Sequence, residues 1–400
     1  MKTRTIALCC VMLLTSLWTT ACWNRRELNE LSIVMAMGID QTKNGFLITI
    51  QMVNAQEIAS KGGSGYSTPI TVYHAEGDTI FEALRRLTSK IGREVYLSHI
   101  RVIVIGEALA RKGIAEVLDF LSRDHEIRTD FYMTVARESR AEEVLKILTP
   151  EEKIPANKMF STLEVSQRNW AVVSKVTIDN LLSNILSEGS NPVLTGIQVN
   201  GDPEVGRNKQ SVEMTDPEVI IQYIGMAAFQ KDKLVGWLNE DESKGLNYTL
   251  GKVKRTVINV ACPQGGKVAV QLIRTDRKIK ATVSEGEPTI LIELKAEGNI
   301  GDVECQLDVT DVKALPEIQK EIEDSIHSKI QAVVNKSQQK LKTDILGLGE
   351  ALHRDQPKLW KQLKENWQQS FVDLHVDIEV NAKIRRIGTV AEPILKKKEG

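Results

Sequence analysis

RVIVIGEALARKGIAEVLDFLSRDHEIRTDFYMTVARESRAEEVLKILTP, residues 101–150, carries the alternation that sets the fold class. Residues 101–106 are an apolar run of strand length, and Ile114, Val117, Leu118 and Leu121 then recur at helical spacing. FYMTV (131–135) is a second strand. Ala141, Val144, Leu145 and Leu148 mark a second helix, which stops at Thr149-Pro150 because a residue before proline is driven out of the helical region. Strands that are apolar along their whole length, with helices between them, belong to a sheet buried on both faces.

Toward the amino terminus, LSIVMAMGID (31–40) and FLITIQMV (46–53) read as a pair of strands joined by QTKNG. KGGSGYSTP (61–69) has no apolar periodicity and reads as a loop before the strand ITVYHAEG (70–77). Asp78 or Thr79 can cap a helix whose apolar positions are Ile80, Leu84, Leu87 and Ile91.

Toward the carboxyl terminus the pattern changes. Residues 156–190 look mostly helical around Leu181, Leu182, Ile185 and Leu186, and 187–218 read as a connection with one short strand at Thr195–Val199. From 219 onward VIIQYIGMAAF, KLVGWL, RTVINVAC, KVAVQLIRT and TILIELKAEGNI suggest an antiparallel meander. A long helix is predicted from Pro316 to Leu348, with Ile318, Ile322, Ile326, Ile330, Val334, Leu341 and Ile345 on one stripe, about 45–50 Å at 1.5 Å per residue. A shorter helix carries Leu352, Leu359, Trp360, Leu363 and Trp367, and residues 371–380 alternate as a half-buried strand.

The 400 residues hold 52 basic and 53 acidic side chains and are 42% hydrophobic, which excludes wholesale disorder and gives no basic excess for binding nucleic acid. Lys2 and Arg4 precede the apolar run Ile6–Trp18, which is shorter than the ~20 residues of a membrane-spanning helix and fits an export signal. Thr19-Thr20-Ala21-Cys22 follows and resembles the lipobox of bacterial lipoproteins, with Thr19 departing from the usual leucine. Cleavage after Ala21 would leave Cys22 as a lipidated amino terminus, S-diacylglycerol and N-acyl, and each buried methylene of those chains contributes ~0.8 kcal/mol to membrane attachment. The competing reading is an uncleaved anchor, since Arg25 and Arg26 place positive charge after the run as well.

The sequence therefore predicts a multidomain chain of α/β plus α+β class. Residues 1–21 form a lipoprotein signal peptide and 22–155 an N-terminal α/β domain with a mixed sheet. Residues 156–218 are a helical segment and connection with room for a small second domain; 219–400 form a C-terminal α+β domain of antiparallel sheet packed on long helices.

Chemistry is sparse. There is no P-loop, dinucleotide fingerprint, HExxH, EF-hand loop or nucleophile elbow, so no catalytic, cofactor-binding or metal-binding residue is assigned. His99 suits a structural hydrogen bond at a strand start better than a general base. Asp124, His125 and Glu126 suit a solvated helix end, and Glu240, Asp241 and Glu242 the N-terminus of a helix. Lys396, Lys397 and Lys398 read as a solvated tail rather than a lipid contact. Cys262 and Cys305 either pair in an oxidising compartment or stay as two buried thiols.

Several stretches are similar to one family. CWNRRELNELSIVMAMGID (22–40), YLSHIRVIVIGEALARKGI (96–114), IGMAAFQKDKLVGWLNEDESKGLNYTLG (224–251), LKTDILGLGEALHRDQPKLWKQL (341–363) and the closing Ile387-Gly388 resemble, in collinear order, the Ger(x)C family. Its members are the lipoprotein C subunits of nutrient germinant receptors in endospore-forming bacteria. The resemblance implies a non-enzymatic subunit anchored through acylated Cys22 on the outer face of the spore inner membrane, partnered by the integral-membrane A and B subunits and the bilayer. Gly225–Gly251 is then a candidate contact surface around Trp237, whose competing reading is an inward core residue. The alternative function, a solute-binding lipoprotein that captures the nutrient directly, requires a cleft between domains with convergent polar groups. A cell-envelope hydrolase finds no support in the motifs.

Overall fold

The computed structural model describes residues 4–6, 30–54, 58, 68–262, 265–284, 287–305 and 314–386. The expected cleavage site at Ala21 and lipidation site at Cys22, most of the 61–69 loop, Ile387-Gly388 and Lys396–Lys398 lie outside the described residues.

The first unit is built on one nine-stranded sheet. Its strands are β1 (Leu31–Gln41), β2 (Phe46–Val53), β3 (Ile70–Gly77), β4 (Glu94–Tyr96), β5 (Val102–Gly106), β6 (Tyr132–Ala136), β7 (Val193–Asn200), β8 (Ile220–Gln230) and β9 (Lys233–Leu238). The order is β3-β2-β1-β5-β6-β7-β8-β9, with β4 beside the start of β1. The central pairs β1/β5, β5/β6 and β6/β7 are parallel, and those on both flanks are antiparallel. Parallel neighbours need crossovers, and helices supply them. These are α1 (Ile80–Ile91), α2 (Glu107–Lys112), α3 (Ala115–Arg123), α4 (Ala141–Lys146), α5 (Pro155–Asn169) and α6 (Ile178–Leu186).

The period-two rule divides each central strand between two helical layers. Ile103 and Ile105 of β5 join the core that holds Ala83, Leu87, Val117 and Leu121 from α1 and α3, whereas Val102 and Val104 face Val144, Leu145 and Met159 from α4 and α5. Full burial of each such side chain is worth about 1.5–3 kcal/mol. Asp40, at the end of β1, accepts hydrogen bonds from the Ala141 and Glu142 amides, both at 2.9 Å, and so caps α4 from a distant strand.

The strands after residue 219 do not form one meander. β8 and β9 complete the first sheet; the second sheet contains β10 (Thr256–Ala261), β11 (Lys267–Ser284), β12 (Glu287–Val303) and β13 (His375–Arg386) in that order. β8 is buried on both faces: Ala227 and Phe229 enter the first unit's core, while Met226 and Ala228 enter the core of the second. Apolar runs reveal such burial but not the partner strand. β10, β11 and β12 pair antiparallel, and β13 returns parallel to β12.

The long helix is shorter than its apolar stripe suggests. α8 (Ala314–Asn335) passes into a π-helical turn at Lys336–Leu341 and ends where Lys342 adopts a left-handed φ of 51°. Ile345 therefore lies in a loop rather than on the helix. The chain continues through α9 (Leu348–Asp355), α10 (Pro357–Leu363) and α11 (Trp367–Val372). Phe371 and Val372 belong to α11, so the last strand starts at His375, later than expected, and there Val376, Ile378 and Val380 are half-buried between exposed neighbours.

Cys262 and Cys305 are joined in a disulfide with a Cα–Cα distance of 6.5 Å, resolving the two sequence alternatives in favour of pairing. A crosslink across 43 residues restricts the unfolded chain by about 4 kcal/mol in the loop-entropy picture.

Candidate functional site

The acidic run does what its position suggests. Glu240, Asp241 and Glu242 open α7 (Glu240–Thr249), where Asn239 and Glu242 form a reciprocal capping box. Asp124 accepts the Glu126 amide at 2.8 Å just after α3, while His99 sits in a turn edge-on to Tyr96 at 5.6 Å. His125 and its neighbours border a groove of about 760 Å³ between α1 and α3, where Phe81 is 53% exposed. Among the described residues no three metal-ligating side chains cluster.

Trp237 is not a free anchor on the Gly225–Gly251 segment. Its Nε1 donates to Glu107 Oε1 at 3.1 Å, and the Arg137 guanidinium lies 5.2 Å from its ring. Glu107 also accepts from Arg111 and from the Glu138 amide. Burial works to raise the Glu107 carboxyl, but these donors together hold it below the usual carboxylate range. The half-buried indole thus ties β9 to α2 and to the end of β6.

The junction between the two units is where the structure concentrates its polar organisation. The loop after α8 folds around Asp344, which is buried. Its Oδ1 accepts the Leu346, Gly347 and Leu348 amides at 3.1, 2.8 and 3.2 Å, and its Oδ2 accepts the Gly349 amide at 2.8 Å and Trp367 Nε1 at 3.1 Å. Burial raises this carboxyl to about 6 against the opposing pull of the Gly347, Leu348 and Gly349 amides and the Trp367 indole. The same loop reaches the first unit: the Asn191 amide donates to Asp344 O at 2.7 Å and Thr343 Oγ1 donates to Phe229 O at 3.3 Å. Gly189 and Gly349 meet backbone to backbone, and a Cβ on Gly189 would stand 2.6 Å from the Glu350 nitrogen. Larger residues there would force the units apart.

A second set of contacts lies along α7 and the segment after it. Asn247 Nδ2 donates to the Ala171 and Val173 carbonyls at 2.8 and 3.1 Å, and Lys252 Nζ donates to Ser174 Oγ at 2.7 Å. Between these contacts and the Asp344 loop is a cleft of about 420 Å³, lined from both units. The sequence reading assigned neither Asp344 nor the cleft. The signal for Asp344 was local: an Asp followed by Gly347 and Gly349 is a pattern for side-chain capping of successive amides. The cleft had none, because its lining comes from segments far apart in the chain.

Comparison with known proteins gives consistent results along the chain. Residues 24–199 match the family model described as spore germination protein N-terminal domain, and residues 224–388 match that described as Spore germination B3/GerAC like, C-terminal. The chain is 34% identical to Spore germination protein KC of Bacillus subtilis (strain 168), covering 98% of each. It is 20% identical to Spore germination protein GerQC of Bacillus cereus over 94% of this chain and 98% of that one. The crystal structure of the GerBC protein shares the fold, with a TM-score of 0.56 at 21% identity over 87% of this chain and 96% of the other.

Proposed function

This chain belongs to the Ger(x)C, or GerAC-like, family of spore germination proteins, and from that premise we propose that it is the membrane-anchored lipoprotein subunit of a nutrient germinant receptor. The observation that carries the reading is the collinear 34% identity to Spore germination protein KC over 98% of both chains. In this reading the chain works without catalysis, through contacts with the two integral-membrane subunits A and B. Its attachment is through acylated Cys22 on the outer face of the spore inner membrane. Among the described residues no helix is long and apolar enough to cross a membrane.

The architecture suits such a role. The two units share a core through β8 and are fastened by the Asp344 loop. Deleting the gene in the host tests the reading. Spores lacking the chain should respond normally to a non-nutrient trigger such as calcium dipicolinate and fail with one set of nutrients. Unchanged responses to every nutrient, with no paralogue expressed, would refute it.

A further inference from the structure

The cleft between the two units is cationic where its neighbours are neutral or paired. Four basic side chains line it, Lys175, Lys252, Arg277 and Arg354, against one carboxylate, Glu350. Two of the cations are already committed: Lys175 pairs with Glu164 at 3.1 Å, and Arg354 holds Asp355 at 2.8 Å while donating to Ile279 O. The Glu350 carboxylate accepts from Ser187. Lys252 and Arg277 have no carboxylate within ion-pairing distance among the described residues.

We propose that this cleft is a binding site for a small anionic ligand carrying carboxylate or phosphate oxygens, held by Arg277 of the second unit and Lys252 beside the first. The site is built for it. Gly251, at a left-handed φ of 68°, leaves room for the Arg277 side chain to lie across the backbone; a Cβ there would stand 3.0 Å from Arg277 Cγ. Lys252 is fixed by Ser174 rather than left to swing in solvent. A guanidinium presents a planar fork that matches two oxygens of one anionic group, and an ammonium adds a point charge. Burial lowers the Lys252 ammonium, and burial with the nearby Arg354 charge lowers Arg277, so both cations carry a cost that a bound anion offsets. About 420 Å³ is at the small end of ligand pockets, so the ligand is metabolite-sized rather than a peptide or polymer. Because Ser174 of the first unit holds Lys252 in place, occupancy ties the second unit's cations to the first unit. The proposal does not depend on the receptor subunits.

Isothermal titration of the purified full chain in detergent, at fixed ionic strength in chloride, tests it with two probes, inorganic phosphate and succinate. At least one should bind saturably at a single site, with affinity falling tenfold or more in Arg277→Gln and in Lys252→Gln and unchanged in Lys43→Gln, a distant exposed lysine. Stronger binding of phosphate identifies a phosphorylated ligand and stronger binding of succinate a carboxylate; either supports the site. Arg277 is solvent-exposed on one side, so its variant should melt with the parent, and Arg277→Lys should recover part of the affinity. Absence of saturable binding by both probes, or equal binding by parent and both cleft variants, would overturn the proposal.

Discussion

Replacing Asp344 by alanine should lower the unfolding free energy by about 4 kcal/mol, read as an earlier chemical-denaturation midpoint. Four backbone amides and the Trp367 indole point at this one carboxylate, and each donor stranded away from water costs about 1–3 kcal/mol. Partial hydration of the vacated site keeps the total below the sum. The loss should fall on both units, since the loop also donates to Phe229 O and receives the Asn191 amide. Asp344→Asn keeps the volume but turns an NH2 group toward donors, so it should recover only part of the loss. The pH dependence has a definite sign. The folded state raises this carboxyl from 3.8 to about 6, so between those values the folded chain binds the proton more readily than the unfolded one. The group's contribution to stability therefore increases as pH falls from about 6 toward 4, and the gap between parent and Asp344→Asn should widen over that window. A gap that narrows on acidification would contradict this account of the loop.

Replacing Cys22 by alanine should leave the chain unacylated and, on the lipoprotein reading, unprocessed, still carrying the apolar run Ile6–Trp18. Without the thiol no diacylglycerol can be transferred, and without that lipid Ala21 is not the end of a cleaved signal. Two or more acyl chains, at ~0.8 kcal/mol per buried methylene, make release from a bilayer negligible, whereas one chain alone is marginal. Mass spectrometry of the parent's mature amino terminus should find acylated Cys22 and no residue before it. The variant should instead retain the residues before position 22 and carry no acyl chain, and the nutrient response should fall with it. An intact Met1, or a free Cys22 thiol on membrane-bound protein, would point instead to the uncleaved anchor that Arg25 and Arg26 permit.

Most helices and strands of the first unit could be read from the sequence because their signals are local; the three-residue β4 and the short helix α2 could not. Ile80, Leu84 and Leu87 repeat at helical spacing and are buried on α1, and residues 102–106 are apolar throughout and buried throughout. What could not be read was partnership. β8 looks the same whether its neighbour is β7 or β10; only the three-dimensional structure shows Met226 and Phe229 entering different cores. The end of α8 was masked for a similar reason. Ile345 continues the apolar stripe, but the left-handed turn at Lys342 and the demand of Asp344 for successive amides break the helix first. The short motifs that carried the resemblance proved architectural where they are described. Asp40 caps α4, Trp237 binds Glu107, and the 341–363 stretch holds the Asp344 loop. The cleft cations were invisible because Lys252, Arg277 and Arg354 are scattered along a chain of balanced charge.

The central claim is that this chain acts as one subunit of a membrane complex, and co-purification tests it most directly. A tagged full-length chain, solubilised from spore membranes in mild detergent and affinity-purified, should bring with it two integral-membrane proteins in near-stoichiometric amounts, identifiable as the A and B subunits by mass spectrometry. The yield of both should collapse in the Cys22→Ala background. Recovery of the lipidated chain alone, under conditions that preserve other membrane complexes, would contradict the account.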